Sequence, residues 1–214
     1  SASAQVYTMA SNPQGSLYFN ASAAIARVAA DKLKMQIRVQ PTAGSSTYIP
    51  LLNTGEVDFA FTNGPDTLDA INGAGMFEAK KSPNLRIVSA VFPLLTSLLV
   101  PADSPVKEPK DLKGLRMPAN YVGQTIGKLL QDAILASADL SMADVKPVPV
   151  INMFQGTEAL GKGNVDAAVI TPGVAQIQQA SVDLASRGGV RFIPLDPSPA
   201  ALAYLRGRDA DGRM

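Results

Sequence analysis

The sequence predicts an α/β protein made of two similar halves, and three observations carry that prediction. The first is a repeat. "LLNTGEVDFAFTNG" at residues 51 to 64 and "ALGKGNVDAAVITPG" at residues 159 to 173 share one plan: an apolar helix end, a glycine, a valine and an aspartate, a small-residue strand, and a polar loop with glycine and proline. A supersecondary unit written twice predicts two halves with a site between them. The second is strand and helix periodicity alternating along the whole chain. The third is a composition shift near residues 92 to 110, where prolines interrupt the alternation and mark a crossing between the halves.

The elements follow in order. "AQVYTMAS" reads as a strand and "NPQG" as a turn. "SLYFNASAAIARVAADKL" then carries Leu17, Ala21, Ala24, Ile25, Val28 and Ala29 at helical spacing. Ser16 stands where an N-cap belongs, since its hydroxyl can accept from a free amide of the first turn. "MQIRVQPT" alternates as a strand, and "TYIPLLNTG" makes a short helix with Pro50 early enough to be tolerated and Gly55 as a left-handed cap. "VDFAFTN" is the next strand and "PDTLDAINGAG" a helix. The run "IVSAVFPLLTSLLV", residues 87 to 100, is too short to span a bilayer and contains Pro93, so it reads as two buried strands, "NLRIVSAVF" and "TSLLVPA". In the second half "LRMPA", "VKPVPVI", "VDAAVIT" and "VRFIPLD" are strands, while "QTIGKLLQDAILASA", "FQGTEALGKG" and "GVAQIQQASVDLAS" are helices. The pattern predicts largely parallel sheets with helices on both faces.

Composition narrows the function. The 214 residues are 46% hydrophobic and 17% charged, enough for a sizeable core, and 19 basic against 18 acidic residues leave a net charge of +1 with no basic cluster. A nucleic-acid groove or a polybasic membrane patch needs concentrated positive charge, so the expected partner is small and not a nucleic acid. Cysteine and histidine are both absent, which removes disulfides, thiolate nucleophiles, the usual zinc sites and imidazole proton shuttles. No phosphate-loop spacing occurs, and no cofactor or metal is expected.

In open α/β sheets ligands lie beyond the carboxyl ends of strands. The loops there are "NPQGS", "TAGSST", "TNGPD", "PANYVGQT" and "ITPGV", all rich in glycine, serine, threonine or asparagine. Each could be ordinary turn chemistry. Together, leading into helix N-termini with free amides, they suit a carboxylate or phosphate. Tyr18, Phe19 and Tyr48 lie near these loops, where an aromatic could wall a pocket or simply join the core. Asp58 and Asp166 are equivalent in the two repeats, but each starts a strand, so capping of local backbone amides is favoured over paired acid and base chemistry.

The ordered motifs "GSLYFNASAAIARVAAD", "TAGSSTYIPLLNTGEVDFAFTNG", "LRIVSAVFPLLTSLLVPADSPVKEPKDLKGLRM" and "ALGKGNVDAAVITPGV" resemble the TAXI receptors, the extracytoplasmic solute-binding proteins of TRAP transporters, over residues 5 to about 196. The resemblance implies a type II periplasmic-binding-protein-like fold, two α/β lobes closing on a small organic anion: an amino acid such as glutamate or glutamine, or a small carboxylate. It implies a periplasmic monomer that delivers solute to TRAP membrane subunits and is not an enzyme. Lobe 1 would span 1–92 and lobe 2 93–196. Ligand contacts carried over from the family are Gly15, Ser16 and Tyr18; Gly44, Ser45 and Ser46; Thr62 and Asn63; and, in lobe 2, Tyr121, Gly123, Gln124, Thr125, Thr171 and Gly173.

Two departures qualify the resemblance. Many relatives carry an arginine where "YVGQTIGK" has Gly127, which removes a charged clamp on a ligand carboxylate. Relatives also continue past "FIPLD" with a segment that returns to lobe 1, whereas here residues 197–214 are the start of that segment or a tail; the segment is truncated, lost or naturally short, and in the first two cases lobe 1 is expected to lack part of its packing. Two other functions fit the same scaffold: a ligand-sensing domain of a regulator, and a phosphoribosyl-transferase-like enzyme, for which only Asp66 lies near a suitable loop.

Overall fold

A computed structural model describes residues 5–195, so the reading of 197–214 as a return segment or tail lies outside the described residues. The described residues form two compact units that divide between Phe92 and Pro93.

The first unit holds strands β1 (Val6–Ser11), β2 (Gln36–Pro41) and β3 (Phe59–Ala60) and helices α1 (Leu17–Leu33), α2 (Ser45–Thr54) and α3 (Gly64–Asn72). The sheet order is β2-β1-β3, all parallel, with β1 central. By the right-handed rule for parallel crossovers, the connection outward from β1 to β2 through α1 and the return past β1 to β3 through α2 put the two helices on opposite faces. The α2 face forms the core, where Tyr48, Ile49, Val57, Ala70 and Phe77 are buried with Ala10. Gly55 ends α2 at φ 79° and Gly73 ends α3 at φ 70°, left-handed turns that a side chain would strain. Pro50 lies well inside α2, because the helix starts earlier than its apolar spacing indicates, at Ser45.

Two expectations fail in this unit. The apolar stripe of α1 is not a buried face: Leu17, Ala24, Ile25 and Val28 are exposed and only Ala29 is buried, because nothing among the described residues packs on that side. "NLRIVSAVF" is not a strand either. Ile87 and Val88 are 75% and 85% exposed, and residues 86–96 have no regular structure. A strand exists only against a paired neighbour, and the two-residue β3 offers too short an edge to pair with.

The second unit holds β4 (Ser97–Pro101), β5 (Arg116–Asn120), α4 (Ile126–Ala136), β6 (Lys146–Val150), α5 (Met153–Gly161), β7 (Ala168–Ile170), α6 (Ala175–Asp183) and β8 (Val190–Ile193). β5 and β6 pair in parallel, while β4 runs antiparallel to both β7 and β8, so the expectation of largely parallel sheets holds only in part. The reason is the crossing: β4 enters directly from the linking segment without a helical crossover, and only a crossover enforces parallel pairing. The core gathers around Leu98, Leu99, Leu135, Leu160 and Ile170, each fully buried.

The repeated aspartates have the same task in both units. Asp58 Oδ2 accepts from the Thr8 amide at 2.7 Å and the Thr8 hydroxyl at 3.0 Å. Asp166 Oδ2 accepts from the Arg116 amide at 2.8 Å, and the Arg116 guanidinium adds bonds at 3.2 and 2.6 Å. The reverse bonds are also made, from the Asp58 amide to the Thr8 carbonyl at 3.2 Å and from the Asp166 amide to the Arg116 carbonyl at 2.9 Å. Both carboxylates therefore serve backbone, as the sequence indicates. The amide they cap is not local, however; it belongs to a strand 50 residues earlier.

The Arg116 hydrogen bond holds the Asp166 carboxyl below its ordinary range. A depressed carboxylate contributes stability that is present above its unfolded value and is lost as pH falls through its folded value. Asp166→Asn is expected to lower stability by about 1–2 kcal/mol at neutral pH, since a charged bond to backbone is lost at a half-exposed position. Thermal melts should show the gap between parent and variant closing in acid. A gap that stays constant down to the acid limit contradicts this role.

Candidate functional site

The carboxyl ends of β1, β2 and β3 bring the three polar loops of the first unit together. Gly15, at φ 82°, turns the first loop so that Ser16 can cap α1; its Oγ accepts from the Phe19 amide at 3.1 Å, as its position in the sequence indicates. The second loop is tied to the first through Thr42, whose amide and hydroxyl donate to the Ser11 carbonyl at 2.8 and 3.1 Å. It is tied to the third through Ser45, whose hydroxyl donates to Asp66 Oδ2.

Asp66 is the centre of this polar cluster, a position sequence reading assigned to no ligand role. It is 2% exposed. Besides Ser45 it accepts from Asn63 Nδ2 at 2.8 Å, while its own amide donates to Asn63 Oδ1 at 2.8 Å, so Asn63 caps α3 with one end of its carboxamide and holds Asp66 with the other. Asn63 Nδ2 also reaches Ser45 Oγ at 3.3 Å. Thr67 Oγ1 donates to the Asn63 carbonyl at 2.7 Å and pairs with Thr62 Oγ1. The side chains of Ser45, Thr62 and Asn63, carried over as ligand contacts, thus all make hydrogen bonds inside the cluster. Gly44 and Ser46 are buried beside them at the start of α2.

Above this cluster lie three rings. Tyr18 stacks on Phe61 with centroids 5.6 Å apart, Phe61 on Phe92 at 5.7 Å, and Tyr18 meets Phe92 at 5.9 Å. Burial, aided by the nearby Asp66 charge, pushes the Tyr18 phenol up to about 12, so it remains a proton donor at any physiological pH. Its hydroxyl makes no hydrogen bond among the described residues. Tyr48 is a core residue that bonds the Phe61 carbonyl, and burial raises its phenol too. Phe61 and Phe92 were not legible as partners of Tyr18, because their contact depends on tertiary approach.

In the second unit the loops after β5 and β6 are joined. The Gly123 amide donates to the Ile151 carbonyl at 2.9 Å, and Gln124 Oε1 accepts from the Met153 amide at 3.0 Å, capping α5 from a distance. Asn120 and Tyr121 are successive non-glycine residues in the left-handed region, at φ 72° and 49°. The buried Tyr121 ring holds this turn by donating to Gln131 Oε1 at 2.7 Å, and Gln131 Nε2 donates to the Pro118 carbonyl at 2.7 Å. Thr125 stands at the start of α4. Thr171 and Gly173 follow β7, with Thr171 buried and Gly173 at φ 85°; no hydrogen bond joins them to the other loops among the described residues.

Gly127 now has a physical explanation. A Cβ there would lie 2.6 Å from Tyr121 Cδ1 and 3.0 Å from Met153 Cγ, so the inward-turned tyrosine leaves no room for an arginine stem. Gly127→Ala is expected to cost about 1–3 kcal/mol by overpacking, read as a lowered melting temperature. Replacing Tyr121 by leucine in the same chain should recover part of the loss. An alanine variant as stable as the parent contradicts the packing described.

The chain belongs to the NMT1-like family, whose model matches residues 9–202. Its fold is that of the bilobed periplasmic binding proteins, α/β in both units. It is similar to an alkanesulfonate-binding protein from Xanthomonas axonopodis pv. citri bound to MOPS, with a TM-score of 0.62 and 21% identity over 88% of this chain and 60% of that one. It is also similar to an ancestral arginine-binding protein bound to arginine, with a TM-score of 0.59 and 19% identity over 88% and 78%. A third is a Prochlorococcus marinus (MIT 9301) protein in complex with methylphosphonate, with a TM-score of 0.63 and 13% identity over 91% and 74%. The chain spans 60% of the length of the sulfonate-binding protein.

Proposed function

We propose that this protein is an extracytoplasmic solute-binding receptor that captures a small organic anion for a membrane transporter. The observation that carries the reading is the loop face of the first unit, where a Tyr18 phenol that stays protonated at neutral pH, without a hydrogen-bond partner among the described residues, stands over loops whose other side chains brace one another. Such a face binds by preset hydrogen bonds and does not supply a nucleophile or a base. Asp58 and Asp166, the carboxylates best placed in sequence for acid and base work, are engaged with strand backbone. NMT1-like membership and the binding-protein fold support the same reading.

Contacts are proposed for the first-unit loops at Gly15, Ser16, Tyr18, Gly44, Ser45, Ser46, Thr62 and Asn63, the glycines and capped turns acting through backbone amides. A second set is proposed at Tyr121, Gly123, Gln124, Thr125, Thr171 and Gly173. The ordered motifs favour a TRAP permease as the partner. An ABC permease is the second reading, because a structural neighbour is the substrate-binding protein of an amino acid ABC transporter. Whether uptake in reconstituted vesicles requires ATP separates the two.

The test is a thermal-shift panel of glutamate, glutamine, arginine, dicarboxylates, MOPS and methylphosphonate. A true solute at 100 times its dissociation constant adds roughly 2.7 kcal/mol of stability. Tyr18→Phe should weaken that solute about fivefold, the worth of one hydrogen bond, without lowering the melting point of the free protein. A flat panel, or a Tyr18→Phe variant that binds like the parent, counts against the receptor reading or against Tyr18 in turn.

A further inference from the structure

We propose that Val122 and Ile151 are specificity-determining contacts of the second unit, and that they select a solute with a single anionic head and a hydrocarbon body, a monoacid in place of a dicarboxylate or an acidic amino acid. This deepens the receptor reading and rests on it.

The backbone after β5 turns an apolar side chain outward. Asn120 and Tyr121 both lie in the left-handed region, at φ 72° and 49°, which non-glycine residues enter rarely and only where surrounding contacts hold them. Here the Tyr121 ring is buried and bonded to Gln131, and the turn leaves the next residue, Val122, 63% exposed. Ile151 is the first residue beyond β6 and is 45% exposed. β5 and β6 pair in parallel as far as Asn120 and Val150, and the Gly123 amide donates to the Ile151 carbonyl, so both residues leave the same sheet edge on joined loops. That edge is the carboxyl end of both strands, where ligands of open α/β sheets lie.

The polar side chains of these two loops are turned inward. Gln124 Oε1 accepts from the Met153 amide and Asn152 Oδ1 from the Gln155 amide, and both residues are buried. The loop faces also supply no cation. Residues 12–16, 42–46, 61–66, 120–125, 151–152 and 171–174 contain no lysine or arginine, and their one charged residue, Asp66, is buried and bonded to Ser45 and Asn63. Lys128, in the first turn of α4, is paired with Asp132, and Gly127 has no room for an arginine stem. Backbone amides at helix starts and the Tyr18 hydroxyl suffice for one anionic group. A carboxylate brought against Val122 and Ile151 loses hydration and gains no partner. A hydrocarbon body gains there, because the contact removes apolar surface from water on both sides.

The test titrates the full chain by calorimetry with the monoacids acetate, butyrate, hexanoate and benzoate. A polar set accompanies them: glutarate, adipate, L-glutamate, L-glutamine, L-arginine, MOPS and methylphosphonate. The wild type is expected to bind hexanoate or benzoate at least about tenfold more tightly than any member of the polar set, with affinity rising about two- to fourfold per methylene from acetate to hexanoate. The double variant Val122→Ser, Ile151→Ser should cost the tighter of hexanoate and benzoate about tenfold and flatten that rise. Its free-protein melting point should match the parent's, because both side chains are exposed. Val122→Thr, which keeps the side-chain shape and adds a hydroxyl, should lose about threefold and carries the test if the double variant fails to fold. The proposal is overturned if any member of the polar set binds as tightly as hexanoate and benzoate, or if the variants bind these two like the wild type; either result leaves the receptor reading intact. No response to any member overturns the receptor reading itself.

Discussion

Each unit depends on one interaction, a carboxylate that holds the backbone amide of a strand 50 residues earlier. Asp58 on Thr8 fixes the entry of β3 beside β1 so that Met9 meets Phe59 and Ala10 meets Ala60. With β3 only two residues long, sheet hydrogen bonds alone would set its register weakly, and a one-residue slip would turn every side chain to the other face. Asp166 on Arg116 performs the same task in the second unit, where its own amide bond to the Arg116 carbonyl links β5 to the segment entering β7. The repeat in sequence is therefore a repeat of a clasp, and what the clasp determines is where the loops at the far ends of these strands emerge.

Those loops divide their polar groups between two tasks. Asp66, Asn63, Ser45 and Thr67 form a closed network that joins the second and third loops and caps α3. A network satisfied to this degree rigidifies a site and leaves little capacity for a ligand. Tyr18 lies outside it, and its protonated phenol retains the hydrogen-bonding capacity that the network has used up. Preorganisation of this sort is what lets a receptor bind without paying to order its loops at the moment of capture.

Much of this was legible in the sequence because it is local. Ser16 caps α1 and Gly55 ends α2 for reasons contained within four residues, and the strand and helix alternation follows from periodicity alone. What was not legible depends on distant partners. The apolar stripe of α1 and the β-rich stretch at residues 86–92 each call for a covering surface, and the pattern cannot say whether one is present. The partners of Asp58 and Asp166, the centrality of Asp66 and the inward turn of Tyr121 against Gly127 arise from tertiary approach. Ser45 and Asn63 stand on the loop face, but residue type alone could not show that their side chains bond one another and Asp66.

The most direct measurement of the central claim is a nitrogen-15 amide titration of the protein with the solute that stabilises it best. The account predicts that shifts concentrate at residues 11–18, 42–46 and 61–67, while the amides of Thr8 and Asp58, held at the opposite end of the same strands, stay in place. Shifts centred on residues 55–58, or a saturated complex in which the three loops do not respond, would contradict it.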